Sequence, residues 1–310
     1  MSAEITIREA RLDDHDDVAA FTQNTWPERE GGDYLAHVYP DWFEGEDKRT
    51  LVAEVDDGPG TDGTVVGLAQ CVLLSEHEAW GQGLRVHPDY RGQGISQRLT
   101  EELFEWASGE GATVMRAMVF SWNVAGLGQA RATGYEPVTE FRWATPEPDA
   151  DADPGADPDL RVVSDPDVAW RAWADSDARE HLGGLALDQD ETWAVSELTR
   201  EDLHRAAEET AVFAVVDDSA RGMAFRVRDY EREVDGEPQR RAEYGVGAWD
   251  DLDSLETLLA AIARDAAEIG ADATRMMIPE TAAHVSDVAA TRTSVADEPD
   301  FVLAANLAGW

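Results

Sequence analysis

At 310 residues the chain is long enough for two ordinary domains, each with a core of its own. It carries 65 acidic against 25 basic residues, a formal charge of −40, and Lys48 is its only lysine; with no basic stripe to neutralise phosphates, a nucleic-acid partner is excluded. No run approaches the roughly 20 apolar residues of a membrane span, and the single cysteine, Cys71, excludes a disulfide framework and reads as a small core residue.

Met1–Glu4 has neither a basic region nor an apolar stretch, so no signal peptide is expected and a cytoplasmic address follows. Ile5 and Ile7 alternate in a short strand. Asp13 to Thr25 predicts a helix with acidic residues in its first turn, and Asp33 to Phe43 a second, weaker one. Leu51–Val55 and Val65–Leu74 predict a hairpin around the turn-rich Asp56–Gly63. Trp80–Val86 predicts a strand, and Ile95, Leu99, Leu103 and Trp106 share one helical face. Val114–Phe120, Asn123–Thr133 and Tyr135–Trp143 complete a strand–helix–strand finish, giving a mixed α/β (α+β) domain around one sheet. Residues 147–159, proline-rich and acidic with no large apolar side chain, form a linker between domains at 1–146 and 160–310.

The second half repeats this plan. Ala53–Asp57 is echoed by Ala214–Asp218, Val66–Ala69 by Arg221–Ala224, Trp80–Gly83 by Tyr244–Gly247 and Gly111–Arg116 by Gly270–Arg275. A period of about 160 residues fits duplication of a whole domain. Between the last two echoes the second copy is shorter, and the shortfall falls where the first copy holds its sharpest motif, Leu84-Arg-Val-His-Pro-Asp-Tyr-Arg-Gly-Gln-Gly-Ile-Ser96. In that motif a strand ends, a turn follows and a glycine-bearing loop opens a long helix. Free amides of a first helical turn and the positive end of the helix dipole make an anion site fit for a pyrophosphate, with Arg91 adding a positive charge.

This segment resembles the acetyl-CoA loop of the GNAT N-acetyltransferase superfamily: Arg or Gln, two residues, Gly, one residue, then Gly or Ala. Arg91, Gly94 and Ser96 fill those places, Ser96 as the departure. The resemblance covers about residues 4 to 144. It implies acetyl-CoA as co-substrate, held by Arg91, Gly92, Gln93, Gly94, Ile95 and Ser96, by the backbone of Leu84, Arg85 and Val86, and by Asn123. It implies two tandem GNAT-like domains, the second degenerate, since Asp250, Asp251 and Asp253 stand where its phosphate loop belongs. Trp80-Gly-Gln-Gly-Leu-Arg, Gly32-Asp-Tyr-Leu35 and Trp42-Phe43 narrow the likeness to histidine N-acetyltransferase-like proteins that carry a second domain. That likeness implies a small-molecule amine acceptor at Asp33, Tyr34, Trp80 and Gln82. Two departures stand out: Ala130 replaces the family's usual tyrosine acid, and Gln82 cannot serve as a base, which leaves Glu78 (or His77) as the candidate. His15, His37, His77, His87, His181, His204 and His284 show no ligand spacing, so no metal is expected. A non-catalytic acyl-CoA-binding protein and a protein N-terminal or lysine acetyltransferase are the alternative readings. Oligomeric state is not legible.

Overall fold

A computed structural model describes residues 5–23, 25, 33, 35–55, 63–153, 155, 157–234 and 236–310. The chain divides into two units.

The first unit comprises Met1–Val119, Asn123–Pro137 and Leu303–Trp310. Its strands are β1 (Ile5–Glu9), β2 (Lys48–Val55), β3 (Thr64–Leu73), β4 (Glu78–Val86) and β5 (Val114–Phe120, whose last residue counts with the second unit), in that spatial order. β1 to β4 are antiparallel neighbours, and β4 runs parallel to β5. The expected hairpin is therefore present as β2 and β3, although most of its turn, 56–62, lies outside the described residues. The helices are α1 (His15–Thr22), α2 (Leu35–Val38), α3 (Ile95–Gly109) and α4 (Val124–Ala132). The expected 33–43 helix is a single α turn followed by a 3-10 turn at Tyr39–Phe43, because Pro40 has no N–H to continue the ladder. α3 buries Ile95, Leu99, Leu103, Phe104 and Ala107, while Trp106 is only half-buried. Gly67 lets this helix close on β3, since a Cβ there would stand 2.9 Å from Ile95. Val18, Phe21, Leu35, Tyr39, Trp42, Val52, Val65 and Leu68 form a core cluster of the unit.

The second unit comprises Phe120–Trp122 and Val138–Val302. Its strands are β6 (Glu136–Thr145), β7 (Arg161–Val163), β8 (Leu185–Leu187), β9 (Val195–Glu197), β10 (Ala211–Val216), β11 (Ala220–Val234), β12 (Glu237–Tyr244), β13 (Ala248–Trp249), β14 (Ala273–Pro279) and β15 (Ser294–Val295). Its helices are α5 (Pro166–Ala174), α6 (Asp177–Leu182), α7 (Arg200–Glu209), α8 (Leu252–Glu268) and α9 (Ala282–Ala290). The main order is β7-β10-β11-β12-β14-β6, with β12 and β14 parallel and the other neighbours antiparallel. Four antiparallel strands joined to a parallel fifth, with α8 leading into that fifth, repeat the β1–β5 and α3 order of the first unit. Tyr244, Leu255, Leu258, Ile262, Met276 and Ile278 are central to its core.

These boundaries differ from the 1–146, 147–159 and 160–310 division. β6 belongs with the second unit because Phe141–Ala144 pairs antiparallel with Met276–Pro279. The final strand, β16 (Asp300–Asn306), starts in the second unit, and Leu303–Trp310 counts with the first. There the Leu307 N–H donates to the Thr113 carbonyl at 2.9 Å, and Trp310 packs edge-on against Phe104. The 147–159 segment is not a free spacer. Asp149 N–H donates to the Ala263 carbonyl at 3.0 Å and Arg264 Nη1 donates to the Ala152 carbonyl at 2.8 Å, so its first residues are fastened to α8.

Candidate active site

β4 and β5 pair only at Glu78↔Val114, Ala79↔Met115 and Trp80↔Arg116. Beyond Trp80 the ladder stops, and Gly81–Val86 stays paired on its other side with β3 alone. One cause lies in β4 itself. Arg85 faces Leu68 and Gln82 faces Gln70, so β4 spends one residue more than β3 across that interval. This bulge contains Gly83, at φ 65°, whose absent Cβ would stand 2.1 Å from the Trp42 ring. The backbone groups of β4 on the β5 side are thereby left out of the β4/β5 ladder. Leu84, Arg85 and Val86 lie on this stretch.

β4 ends at Val86, the 3-10 turn Pro88–Tyr90 follows, and α3 opens after Gly94. Gly92 (φ 76°) and Gly94 (φ 78°) are both left-handed, and a Cβ on either would meet open space. Gly94 is the N-cap and supplies no side-chain cap, so the first-turn amides of α3, Ile95 and Ser96 among them, have no capping side chain. Arg91, Gly92 and Gln93 are exposed around them, and Arg91 is steadied by its Nε–H donating to the Val86 carbonyl at 3.3 Å. An uncapped helix start beside an exposed arginine fits a pyrophosphate. Asn123 caps α4, its side-chain oxygen accepting from Gly126 N–H at 3.0 Å. No described group accepts a hydrogen bond from its side-chain NH2.

The acceptor-side expectations fare differently. Tyr34 lies outside the described residues. The buried Asp33 carboxylate accepts from Arg85 Nε at 2.7 Å and from Leu35 N–H at 3.1 Å, so it orients Arg85 and α2. Trp80, expected at the acceptor, is 2% exposed and packs in the core. Gln82 Nε2 donates to Gln70 Oε1 at 2.7 Å, and Gln70 in turn donates to Thr50 Oγ1 at 2.9 Å. Glu78 is buried, ion-paired with Arg116, and accepts from Ser75 Oγ at 3.4 Å. It also stands at the closed end of the β4/β5 pair, about 10 Å of strand before Gly81. Its carboxylate is thus engaged by Arg116 and Ser75.

Sequence reasoning missed the bulge and the Asp33–Arg85 pair; the doubled glycine inside a strand, Gly81 and Gly83, was the available signal. Ala130 is buried where a tyrosine acid was sought. The Tyr135 hydroxyl lies where a Cβ on Gly81 would meet it at 2.9 Å, its ring packs on Phe104, and burial raises its pKa. Burial likewise raises that of the Cys71 thiol, in keeping with an inert core residue. Among the described residues there is no cluster of three or more metal-ligating side chains, and no helix is long and apolar enough to cross a membrane.

In the second unit the corresponding place is closed. β12/β14 pairing also ends at Tyr244, but Gly247 N–H then donates to the Met277 carbonyl at 2.9 Å. The Phe225 ring would stand 2.2 Å from a Cβ on Gly245. The start of α8 is capped by Asp251, which accepts from Ser254 N–H at 2.9 Å and pairs with Arg221 at 2.5 Å.

Residues 15–135 match the sequence profile of the acetyltransferase (GNAT) family. Over 96 residues the chain is 27% identical to the thialysine N-epsilon-acetyltransferase of Bos taurus, a match spanning 29% of this chain and 56% of that protein. Among solved structures it resembles a GCN5-related N-acetyltransferase from Sphaerobacter thermophilus, with TM-score 0.63, 13% identity, and 98% of this chain and 96% of that one covered. A second likeness is a putative acetyltransferase from Thermoplasma acidophilum, with TM-score 0.54, 15% identity, and 97% and 99% covered. At such identities these likenesses establish the fold.

Proposed function

From the match of residues 15–135 to the acetyltransferase (GNAT) family we propose that the protein transfers the acetyl group of acetyl-CoA to a primary amine of an amino acid or other small molecule. The observation that carries this reading is the opening of β4 from β5 beyond Trp80, next to the uncapped start of α3. Arg91 and the amides of Gly92, Gln93, Gly94, Ile95 and Ser96 would hold the pyrophosphate. The free backbone edge of Leu84, Arg85 and Val86 would hold the pantetheine arm, with Asn123 donating from its amide. Acetyl-CoA supplies the activated acyl group when bound. The chain's contribution is then to hold the thioester carbonyl in line with the amine and to offer backbone donors to the developing oxyanion.

Gly81–Val86 carries no carboxylate, and Glu78 is committed to Arg116. In this reading the amine therefore arrives neutral. The second unit, lacking both an open strand edge and an uncapped helix, would bind no CoA. A non-catalytic acyl-CoA-binding role is the second reading, favoured by the same commitment of Glu78 and by Ala130.

Thiol release from acetyl-CoA, followed in molar salt as amine and amino-acid pools are added, decides between the two. Amine-dependent release supports transfer, and CoA binding without release supports the second reading. In Arg91→Glu the KM for acetyl-CoA should rise about tenfold or more, since a charge-assisted contact becomes a repulsion, with the circular dichroism spectrum unchanged. An unaltered KM would remove the phosphate-loop assignment.

A further inference from the structure

The second unit holds a cavity of about 320 Å3 whose wall includes Trp122, Trp143, Trp193, Arg241, Arg275 and Asp300. Its floor is cationic. The Arg275 guanidinium lies between the Trp143 and Trp193 rings, 4.1 Å from each centroid, and pairs with the fully buried Glu243. That carboxylate is already shared, accepting from Tyr230 OH at 2.8 Å and Arg228 Nη1 at 3.1 Å. Arg241 is left over. Its Nε is buried with no hydrogen-bond partner, and it makes no ion pair among the described residues. Burial and the positive charges of Arg232 and Arg275 depress its pKa. The side chain as a whole is half-buried, and at the cavity wall it keeps this buried donor free for an anion from outside the chain.

The rest of the wall has the opposite sign. Asp300 accepts from Trp143 Nε1 at 3.0 Å, and Asp297 and Glu298 also line the cavity. The exposed Asp297 carboxylate makes no ion pair among the described residues. Phe120 stacks on Trp122 at 5.2 Å and 8°, which completes an aromatic side. Anion and cation subsites with aromatic walls, in a volume at the small end of ligand pockets, match a molecule that carries both charges and an apolar body.

We propose that this cavity binds a free amino acid as its zwitterion. Arg241 takes the carboxylate, the Asp297 side takes the ammonium, and the tryptophans cover an apolar or aromatic side chain. Cation–π attraction adds to the ammonium's hold. The inference rests on the cavity's own chemistry, and it stands whether or not the bound amino acid is acetylated.

The test is calorimetry with the full chain in molar KCl and without acetyl-CoA, so that its failure is separate from failure of the transfer reading. The probes are L-phenylalanine, L-leucine and L-histidine, with 2-phenylethylamine and 3-phenylpropionate as single-charge controls. At least one amino acid should bind, and each control should bind about tenfold or more weakly than phenylalanine, the loss expected for one charged hydrogen-bonding group. Arg241→Gln should weaken amino-acid binding by a similar factor and leave acetyl-CoA affinity unchanged. Should Arg241→Gln fail to fold, Asp297→Asn at the exposed rim gives the same reading for the ammonium. No heat from any of the three amino acids, or a control binding as well as phenylalanine, overturns the proposal. So does an affinity indifferent to both substitutions.

Discussion

Gly83 is where one residue shapes the β4 bulge. Its left-handed backbone and the Trp42 ring 2.1 Å from any added Cβ leave room for hydrogen alone. Gly83→Ala should destabilise the protein by about 2–4 kcal/mol through overlap and strain, and acetyl-CoA affinity should fall with it as the bulge is lost. A combined Gly83→Ala, Trp42→Leu variant should recover the part due to overlap. Thermal melts of the three proteins check this, and an unchanged melting temperature in Gly83→Ala would refute the bulge geometry. Asp300 gives a second residue-scale test. Burial raises its pKa from 3.8 to about 6, so between those values the folded state holds more proton than the unfolded one. Its contribution to stability is thus full below the unfolded value and is lost as pH rises through about 6, a difference of about 3 kcal/mol at roughly 1.4 kcal/mol per unit. Asp300→Asn keeps an acceptor for Trp143 and removes the ionisation. The variant should melt above the parent at pH 7.5, with the gap narrowing toward pH 4.5. A gap that widens on acidification would reverse the sign of the argument.

At the scale of elements, α3 and α8 differ in how they start and in what lies beside them. α3 starts at a bare Gly94, whereas α8 starts at Asp251, locked by Ser254 and Arg221. One strand pair opens beyond Trp80; the other is bridged again at Gly247. The full chain should therefore bind one CoA per molecule by calorimetry, and Arg91→Glu should weaken all of the binding heat together. Two sites, or a tight site surviving in Arg91→Glu, would show that the second unit binds cofactor. Much of this was legible in the sequence. The period of Ile95, Leu99 and Leu103 announced α3, the two loop glycines marked its start, and Asp250 and Asp251 warned that the second copy differs. What could not be read depends on pairings between distant residues. Nothing local to β6 says that Ala144 will pair with Met276, and nothing near Trp80 says that its ladder to β5 ends there. Trp80 and Gln82 sit on one face by strand alternation, yet Trp80 is core and Gln82 is held by Gln70. Their shared face was readable; what packs against it was not.

At the scale of the molecule the charge of −40 must be accommodated. The arginines are largely spent on local pairs: Arg8 with Asp14 and Glu54, Arg116 with Glu78, Arg221 with Asp217, Asp250 and Asp251. Such pairs fix neighbouring strands and helix starts, but there are too few cations to match the acids. With 65 carboxylates against 25 cations, pairing can relieve only a minority. The remainder repel over the Debye length, about 30 Å at 0.01 M salt and about 3 Å at 1 M. Self-repulsion of this kind opposes the compact state. We infer that the chain is built for a concentrated salt solution and should lose compactness in dilute buffer. Its melting temperature should climb steeply from 0.01 to 1 M KCl, equally in NaCl at the same ionic strength. Exclusion of salt from the surface predicts another pattern, with sulfate acting strongly and chloride weakly. Melts monitored by circular dichroism in the three salts separate screening from exclusion. A melting temperature that does not change with KCl would mean that the acids are already accommodated without salt, and the inference would fall.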